Sequence, residues 1–95
     1  MATEIINNEA QTRYEVVQNG DLAGFAEYKL DGDQVVFTHT EVDPAFEGQG
    51  LGSALAKGAL DDVRATGRTT VPLCPFIRRY IDRHPAYQDL LSHGR

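Results

Sequence analysis

The stretch "EVDPAFEGQGLGSALAKGAL" (residues 41–60) marks the point where an extended pattern gives way to a helical one. Three glycines, Gly48, Gly50 and Gly52, stand at alternate positions directly before the helix. Glycine loses more conformational entropy on folding than other residues, so three together indicate that something approaches the backbone closely. The approaching group is either a ligand or another part of the protein, and the spacing alone leaves both possibilities open.

A glycine-rich turn that leads into a helix is typical of an anion site. The first N–H groups of a helix lack partners within it, and the positive end of the helix dipole lies there. A dinucleotide fingerprint would need G-x-G-x-x-G in a parallel βαβ unit, and a P-loop would need Gly-Lys-Ser/Thr. The stretch has G-x-G-x-G and no such lysine, which excludes both motifs. Binding of a diphosphate by backbone N–H groups remains possible.

The residues before this stretch predict an antiparallel meander. The segments "NGD" and "DGD" favour tight hairpin turns between strands that are rich in β-branched and aromatic residues. Strands are expected over residues 12–18, 22–30 and 34–42.

The residues after it predict helices around one more strand. Apolar residues recur at helical spacing from Leu51 to about Thr66. A short strand follows over residues 69–73, and Pro72 restricts it to the edge of a sheet or to the end of a strand. A second helix is expected over residues 74–84, and a helical turn over residues 86–91. The order β-β-β-α-β-α predicts an α+β fold with helices packed on a mostly antiparallel sheet.

Length and charge limit the class of protein. The 95 residues suit one domain, residues 1–95, with a loose polar arm over about 1–11 and a short tail over about 92–95. The formal net charge of −5 argues against a nucleic-acid binder. The apolar runs are far shorter than the roughly 18 residues of a membrane-spanning helix. A single cysteine, Cys74, excludes an intramolecular disulfide, and with no signal peptide visible we expect a cytoplasmic protein.

The run "HTEVDPAFEGQGLGSAL" resembles the acetyl-CoA motif of the GNAT acyltransferase superfamily, Q/R-x-x-G-x-G/A between a strand and a helix. The last two glycines of that motif correspond to Gly50 and Gly52, and its first position is Glu47 instead of Gln or Arg. Together with "CPFIRRYIDRHPAYQDLL", the run resembles a compact branch of YjdJ-type N-acetyltransferases over roughly residues 12–91.

The resemblance implies acetyl-CoA as co-substrate and an amine as acceptor. Backbone groups at the end of the third predicted strand, around Glu41 and Val42, would pair with the pantetheine, and backbone N–H groups from Glu47 to Ser53 would hold the pyrophosphate. Lys57, Arg78 and Arg79 are candidates for the 3′-phosphate, although each also suits a solvated helix face. The predicted cofactor-binding residues are Glu41, Val42, Glu47, Gly48, Gln49, Gly50, Leu51, Gly52, Ser53 and Arg79.

Three side chains are candidates for catalysis. Cys74 is expected at the start of the second helix, where it could carry the acetyl group or protonate the leaving thiolate. It also suits a small buried hydrophobe. His39 could deprotonate the amine, or could be hydrogen-bonded inside the sheet. Tyr80 matches the region where many members of the superfamily carry a general acid.

Two further expectations concern the surroundings of these residues. Alternation along the third predicted strand places His39 and Glu41 on the face shared with Val35 and Phe37. The histidines show no metal-ligand spacing with Cys74, so no metal site is predicted.

The turns between the strands leave no residues for a lid, which predicts an open acceptor side suited to a protein or a peptide amine. The leading hypothesis is an acetyl-CoA-dependent N-acetyltransferase. A CoA-binding module without turnover and a purely structural domain are the alternatives.

Overall fold

A five-stranded sheet carries two helices on one of its faces in the computed structural model, which describes residues 2–91. Short 3-10 helices lie at Glu9–Gln11, Pro44–Phe46 and Pro85–Leu90. The main elements are β1 (Thr3–Asn8), β2 (Arg13–Gln18), β3 (Asp21–Asp31), β4 (Gln34–Val42), α1 (Leu51–Ala65), β5 (Thr69–Pro72) and α2 (Pro75–Arg83).

The first strand is an element that the sequence did not predict. β1 pairs antiparallel with β2, from Thr3 opposite Gln18 to Asn8 opposite Arg13, so the prediction of a loose arm over residues 1–11 was wrong. The strand is held in place by Ile5, which packs on the core and closely approaches α1. The observed order is therefore β-β-β-β-α-β-α. The predicted tail, residues 92–95, lies outside the described residues.

The sheet follows the chain, with strand order β1-β2-β3-β4-β5. Neighbouring strands are antiparallel except for β4 and β5, which are parallel and are connected through α1. β5 lies at the edge of the sheet and ends at Pro72, as predicted. The mixed architecture confirms the α+β prediction.

One hydrophobic core fills the space between the sheet and the helices. The α1 residues that face it recur every three or four positions, which is the spacing that an amphipathic helix requires. Among residues 2–91, no helix is long and apolar enough to cross a membrane. The largest fully buried side chains are those of Val16, Val35, Phe37, Leu55, Leu60, Val63, Thr70, Ile77 and Ile81.

The opposite face of the sheet, called here the open face, bears neither α1 nor α2. Pairing between the strands arranges its side chains in rows across β1 to β4. One row contains Ile6, Glu15, Phe25 and Glu41, and the next contains Asn8, Arg13, Glu27 and His39.

Candidate functional site

The parallel strands β4 and β5 separate halfway along β4. Their pairing ends where Phe37 lies opposite Pro72. The backbone N–H groups of Leu73 and Cys74 both donate to the carbonyl oxygen of Phe37, each at 3.0 Å. Beyond this point the chain after β5 turns into α2, whereas β4 continues beside β3. A gap therefore opens between the second half of β4 and the beginning of α2.

A β-bulge at Thr38 reverses the side chains of β4 at the mouth of this gap. In the register with β3, Phe37 pairs with Tyr28 but His39 pairs with Glu27, so Thr38 is an extra residue. Side chains alternate along a strand with a period of two. One extra residue therefore moves every later side chain to the other face of the sheet.

His39 and Glu41 consequently lie on the open face, and the prediction that they share a face with Val35 and Phe37 was wrong. Val35 and Phe37 are buried, whereas the side chains of His39 and Glu41 are 51% and 61% exposed. The Nε2 atom of His39 lies 2.7 Å from Oε2 of Glu41, and its ring lies 6.3 Å from that of Phe25. The imidazole is thus oriented on the surface and accessible to solvent.

The backbone of β4 beyond the bulge points alternately to β3 and into the gap. The N–H of Asp43 donates to the carbonyl oxygen of Ala23 at 2.7 Å, so residue 43 faces β3. By alternation, Glu41 also directs its backbone to β3, while Thr40 and Val42 direct theirs into the gap. Of the two residues whose backbone was predicted to pair with the pantetheine, Val42 faces the gap and Glu41 does not. Thr40 also faces the gap, and the sequence analysis missed it.

Gly48 and Gly50 give the loop before α1 its shape. Their φ angles are +83° and +72°, in the left-handed region that favours glycine. A Cβ atom on either residue would meet nothing within 4 Å, so the space beside them is open. Within residues 2–91, no atom fills the space that a side chain at these two positions would take.

The N-terminus of α1 opens towards this space. Gly50 is the N-cap residue, and it has no side chain that could cap the helix. The first intrahelical bond runs from the N–H of Ala54 to the carbonyl of Gly50, at 3.1 Å. The N–H groups of Leu51, Gly52 and Ser53 therefore lack acceptors within the helix.

Gly52 differs from the other two glycines because it serves the packing of α1 on α2. A Cβ atom there would lie 2.8 Å from the ring of Phe76. Of the remaining loop residues, Glu47 is exposed, and the side-chain amide of Gln49 lies 3.5 Å from that of Gln18 on β2.

One groove connects the gap to the N-terminus of α1. It has a volume of about 260 Å³, with Val42 of β4 at one end and Phe76 of α2 on its wall. It is also lined by Phe46, Glu47, Gly48, Gly50, Leu51, Gly52 and Ser53.

Cys74 lies at the closed end of the gap. It is the N-cap residue of α2, as predicted, and is only 3% exposed. Its Sγ atom lies 3.2 Å from Oγ1 of Thr40, which the bulge has turned towards the helices. The thiol is thus held beside the β4 backbone that faces the gap.

Tyr80 and Arg79 belong to a second groove, of about 210 Å³, between α1 and α2. The ring of Tyr80 stacks on His84 at a centroid distance of 3.9 Å and also contacts Tyr87. Among the described residues, the ring contacts of Tyr80 are to His84 and Tyr87 and not to His39, and its role as a general acid stays a prediction. This groove is lined by Ser53, Phe76, Arg79, Tyr80, Arg83 and His84.

The other predicted cations lie elsewhere. Lys57 pairs with Asp61 at 2.9 Å, and Arg78 lines a separate groove along β5. Arg83, one helical turn after Arg79, is the cation that the sequence analysis missed; its spacing of four residues is the signal that could have revealed it.

Contacts from the segment after α2 fix that helix relative to α1. The hydroxyl of Tyr87 donates to Asp61 at 2.7 Å, and Arg64 pairs with Asp89 at 2.8 Å. Burial, together with the carboxylate of Asp61, raises the pKa of Tyr87 to about 12. The same hydrogen bond lowers the pKa of Asp61. These contacts keep the second groove in place.

Within residues 2–91, no three His, Cys, Asp or Glu side chains are grouped so that they could hold a metal ion.

Comparison with known proteins identifies the class to which these features belong. A family model described as GCN5-related N-acetyl-transferase matches residues 13–90. The [ribosomal protein bS18]-alanine N-acetyltransferase of Escherichia coli K12 is 32% identical over 63 residues, which cover 66% of this chain and 43% of that enzyme. Protein NATD1 of Homo sapiens is 36% identical over 64 residues, covering 66% of this chain and 57% of that protein. The chain thus spans about half the length of the curated relatives that it matches.

Solved structures agree on the fold. A GCN5-like protein from Staphylococcus aureus, determined by NMR in solution, superimposes with a TM-score of 0.70 at 22% identity. The match covers 97% of this chain and 93% of that one. The compact YjdJ-type branch stays a prediction.

Proposed function

The chain belongs to the GCN5-related N-acetyltransferase family, and we propose that it transfers an acetyl group from acetyl-CoA to an amine. The observation that supports this most strongly is the continuous groove from the gap-facing Val42 to the uncapped N-terminus of α1. An elongated ligand with a phosphate group at some distance from its reactive end fits such a groove.

The glycine loop and the first turn of α1 would hold the pyrophosphate. Backbone N–H groups from Gly48 to Ser53 supply donors, and the helix dipole adds a positive potential. The open space beside Gly48 and Gly50 leaves room for the phosphates. An acidic chain can bind this anion because the donors belong to the backbone. Arg79 and Arg83, on the far side of Ser53, would take the 3′-phosphate.

The pantetheine arm would lie in the gap and pair with the backbone of Thr40 and Val42. The thioester then ends near Cys74. An N–H group of β4 would polarise its carbonyl oxygen and stabilise the negative charge that develops there.

The transfer needs a neutral amine held in line with the carbonyl carbon. His39, oriented by Glu41, would accept the proton from the ammonium. The nitrogen then forms the new bond to the carbonyl carbon and loses its second proton to solvent, the C–S bond breaks, and the thiolate leaves with its electron pair. Cys74 would return a proton to that thiolate, since Tyr80 lies against His84 and Tyr87. A covalent acetyl-cysteine is the other role open to this thiol.

The acceptor would be the amine of a protein or peptide, and the site of action the cytoplasm. The E. coli relative acts on alanine of a ribosomal protein, as its name states. The open face beside His39 offers room for a polypeptide of this kind.

Thermal unfolding with acetyl-CoA and CoA tests the donor site. Ligand at about 100 times its dissociation constant adds roughly 2.7 kcal/mol to the free energy of unfolding. For a domain of this size each kcal/mol raises the midpoint by about 4–8 °C. Gly50→Glu should abolish the shift, because it places a carboxylate where the phosphates bind.

Gly32→Glu is the matched control, since Gly32 also has a positive φ and open space around it but lies in the β3–β4 hairpin. It should keep the full shift. An equal shift in Gly50→Glu, or none in the wild type at millimolar ligand, would contradict the proposed donor site.

A CoA-binding module without turnover is the second candidate, favoured by the burial of Cys74. It predicts the same thermal shift but no release of CoA thiol with any amine.

A further inference from the structure

We infer that the open face is a docking surface for an extended, lysine- or arginine-rich segment of the acceptor polypeptide. The inference rests on the proposed function, because it assumes that the thioester ends in the gap. Three features of the open face support such a docking surface: its position beside the gap, its negative charge and the notch at one of its ends.

The open face gives the acceptor a separate route to the thioester. The donor groove is bordered by α1, the glycine loop and Phe76, all on the helix side of the sheet. A notch of about 230 Å³ lies where β3 begins and β4 ends, between Leu22, Phe25 and Glu41. Val42 lines both the donor groove and this notch. The two cavities therefore meet across one residue of β4, and each substrate can occupy its own.

The notch suits an alkylammonium group. Leu22, 45% exposed, and the ring of Phe25 provide an apolar surface for an aliphatic stem. Glu41 and Asp43 also line the notch, although the carboxylate of Asp43 caps the 3-10 helix that follows it. His39 adjoins both Phe25 and Glu41. An ammonium bound here lies next to the group that would deprotonate it.

The rest of the open face carries excess negative charge. Its carboxylates are Glu4, Glu15, Glu27, Asp31 and Glu41, against the cations Arg13 and Lys29.

Arg13 is already engaged within the protein. It pairs with Glu15 at 2.8 Å, and its guanidinium lies 4.7 Å from the centre of the Phe25 ring. Among the described residues, neither Glu4 nor Glu27 has an ion-pair partner. These two carboxylates are therefore available to a cationic partner.

The spread of these charges requires an extended occupant. Glu4 lies on β1 and Glu41 on β4, three strand spacings apart, or about 14 Å. A small amine could fill the notch but could not reach Glu4. A second copy of the chain would bring the same negative face against itself, and a nucleic acid would be repelled.

Binding of a fluorescent peptide made of lysine and glycine, followed by anisotropy at low salt, tests the docking surface. The double variant Glu4→Gln/Glu27→Gln should bind about five- to tenfold more weakly, because each exposed ion pair contributes modestly. Glu9→Gln/Asp82→Asn changes the net charge equally but alters exposed residues outside the strands of the open face, one in a 3-10 helix and one in α2, and it should bind like the wild type. Added salt should weaken binding.

An absence of peptide binding, or equal weakening in both double variants, would overturn the proposal. So would a dimer in light scattering that only the Glu4→Gln/Glu27→Gln variant dissociates, since the face would then belong to a second copy. All variants should keep the acetyl-CoA thermal shift. If the wild type lacks that shift, the donor site fails, while peptide binding still decides the docking surface.

Discussion

The two halves of β4 show how one extra residue separates stability from function. Before Thr38, the strand is paired on both sides, and Val35 and Phe37 are fully buried. After Thr38, it is paired with β3 alone, its other edge faces the gap, and His39 is exposed. The same strand thus anchors the core at one end and carries polar groups of the proposed site at the other. The bulge makes this possible because it turns polar side chains outward without burying them.

The difference between the two halves of β4 is tested most strongly by Phe37→Ala. Removing this ring from the first half of β4 should cost about 3–5 kcal/mol of unfolding free energy, because it leaves a cavity in the core. That is a large part of the total stability of a small domain. Urea unfolding measures the loss, with His39→Ala as the matched truncation after the bulge. A similar loss in both variants would show that the bulge does not divide the strand.

His39→Gln should leave stability nearly unchanged and lower the rate of acetyl transfer. Its free energy of unfolding should change by less than about 0.5 kcal/mol, since the side chain is on the surface. The rate of CoA thiol release with a lysine-rich peptide should fall about 100-fold, because the proposed general base is lost. Unchanged turnover would remove His39 from the mechanism.

Cys74→Ala is the companion variant within the gap. A slower rate with unchanged acetyl-CoA affinity would assign the thiol to proton transfer, and an acetyl adduct in the intact mass of the wild type would assign it to covalent transfer.

The smallest expected effect concerns Glu15, in the open-face row that reaches Glu41. Hydrogen bonds from Asn8 and Arg13 lower the pKa of Glu15 below its ordinary value of 4.5. The contribution of ionised Glu15 to the free energy of unfolding is therefore complete above about pH 4.5. It is lost as the pH falls through the lower pKa that Glu15 has in the folded state. Glu15→Gln should reduce the free energy of unfolding by about 0.5 kcal/mol at pH 7 and by less at pH 3. If wild type and Glu15→Gln differed equally in free energy of unfolding at pH 7 and pH 3, the stabilising role of the ionised carboxylate would be contradicted.

Much of the fold follows from local sequence patterns. β2 to β4 are framed by Asn-Gly and Asp-Gly turns, and α1 has a clear apolar period. β1 was missed because Ile5 and Ile6 are adjacent and do not alternate with polar residues. Its pairing with β2 and its contact with α1 stabilise it instead, and neither is visible in a local window.

The candidate site was predicted less completely, for a similar reason. The glycine loop was visible because its φ angles demand glycine. The orientation of His39 depends on a bulge, which changes register without changing composition. The onset of polar residues at Thr38 was the available signal. Tyr80 could not be oriented because its direction depends on the packing of α2 against the segment that follows it.

The two edges of the sheet differ in their capacity to template association between chains. At β5, Thr70 already pairs with Leu91, and Pro72 lacks the N–H that the next added strand would require. β1 contains no proline and, among the described residues, has no strand on its outer side. Growth of ordered aggregates at high concentration would therefore begin at β1, and a lysine introduced on that outer edge is the substitution best suited to suppress it.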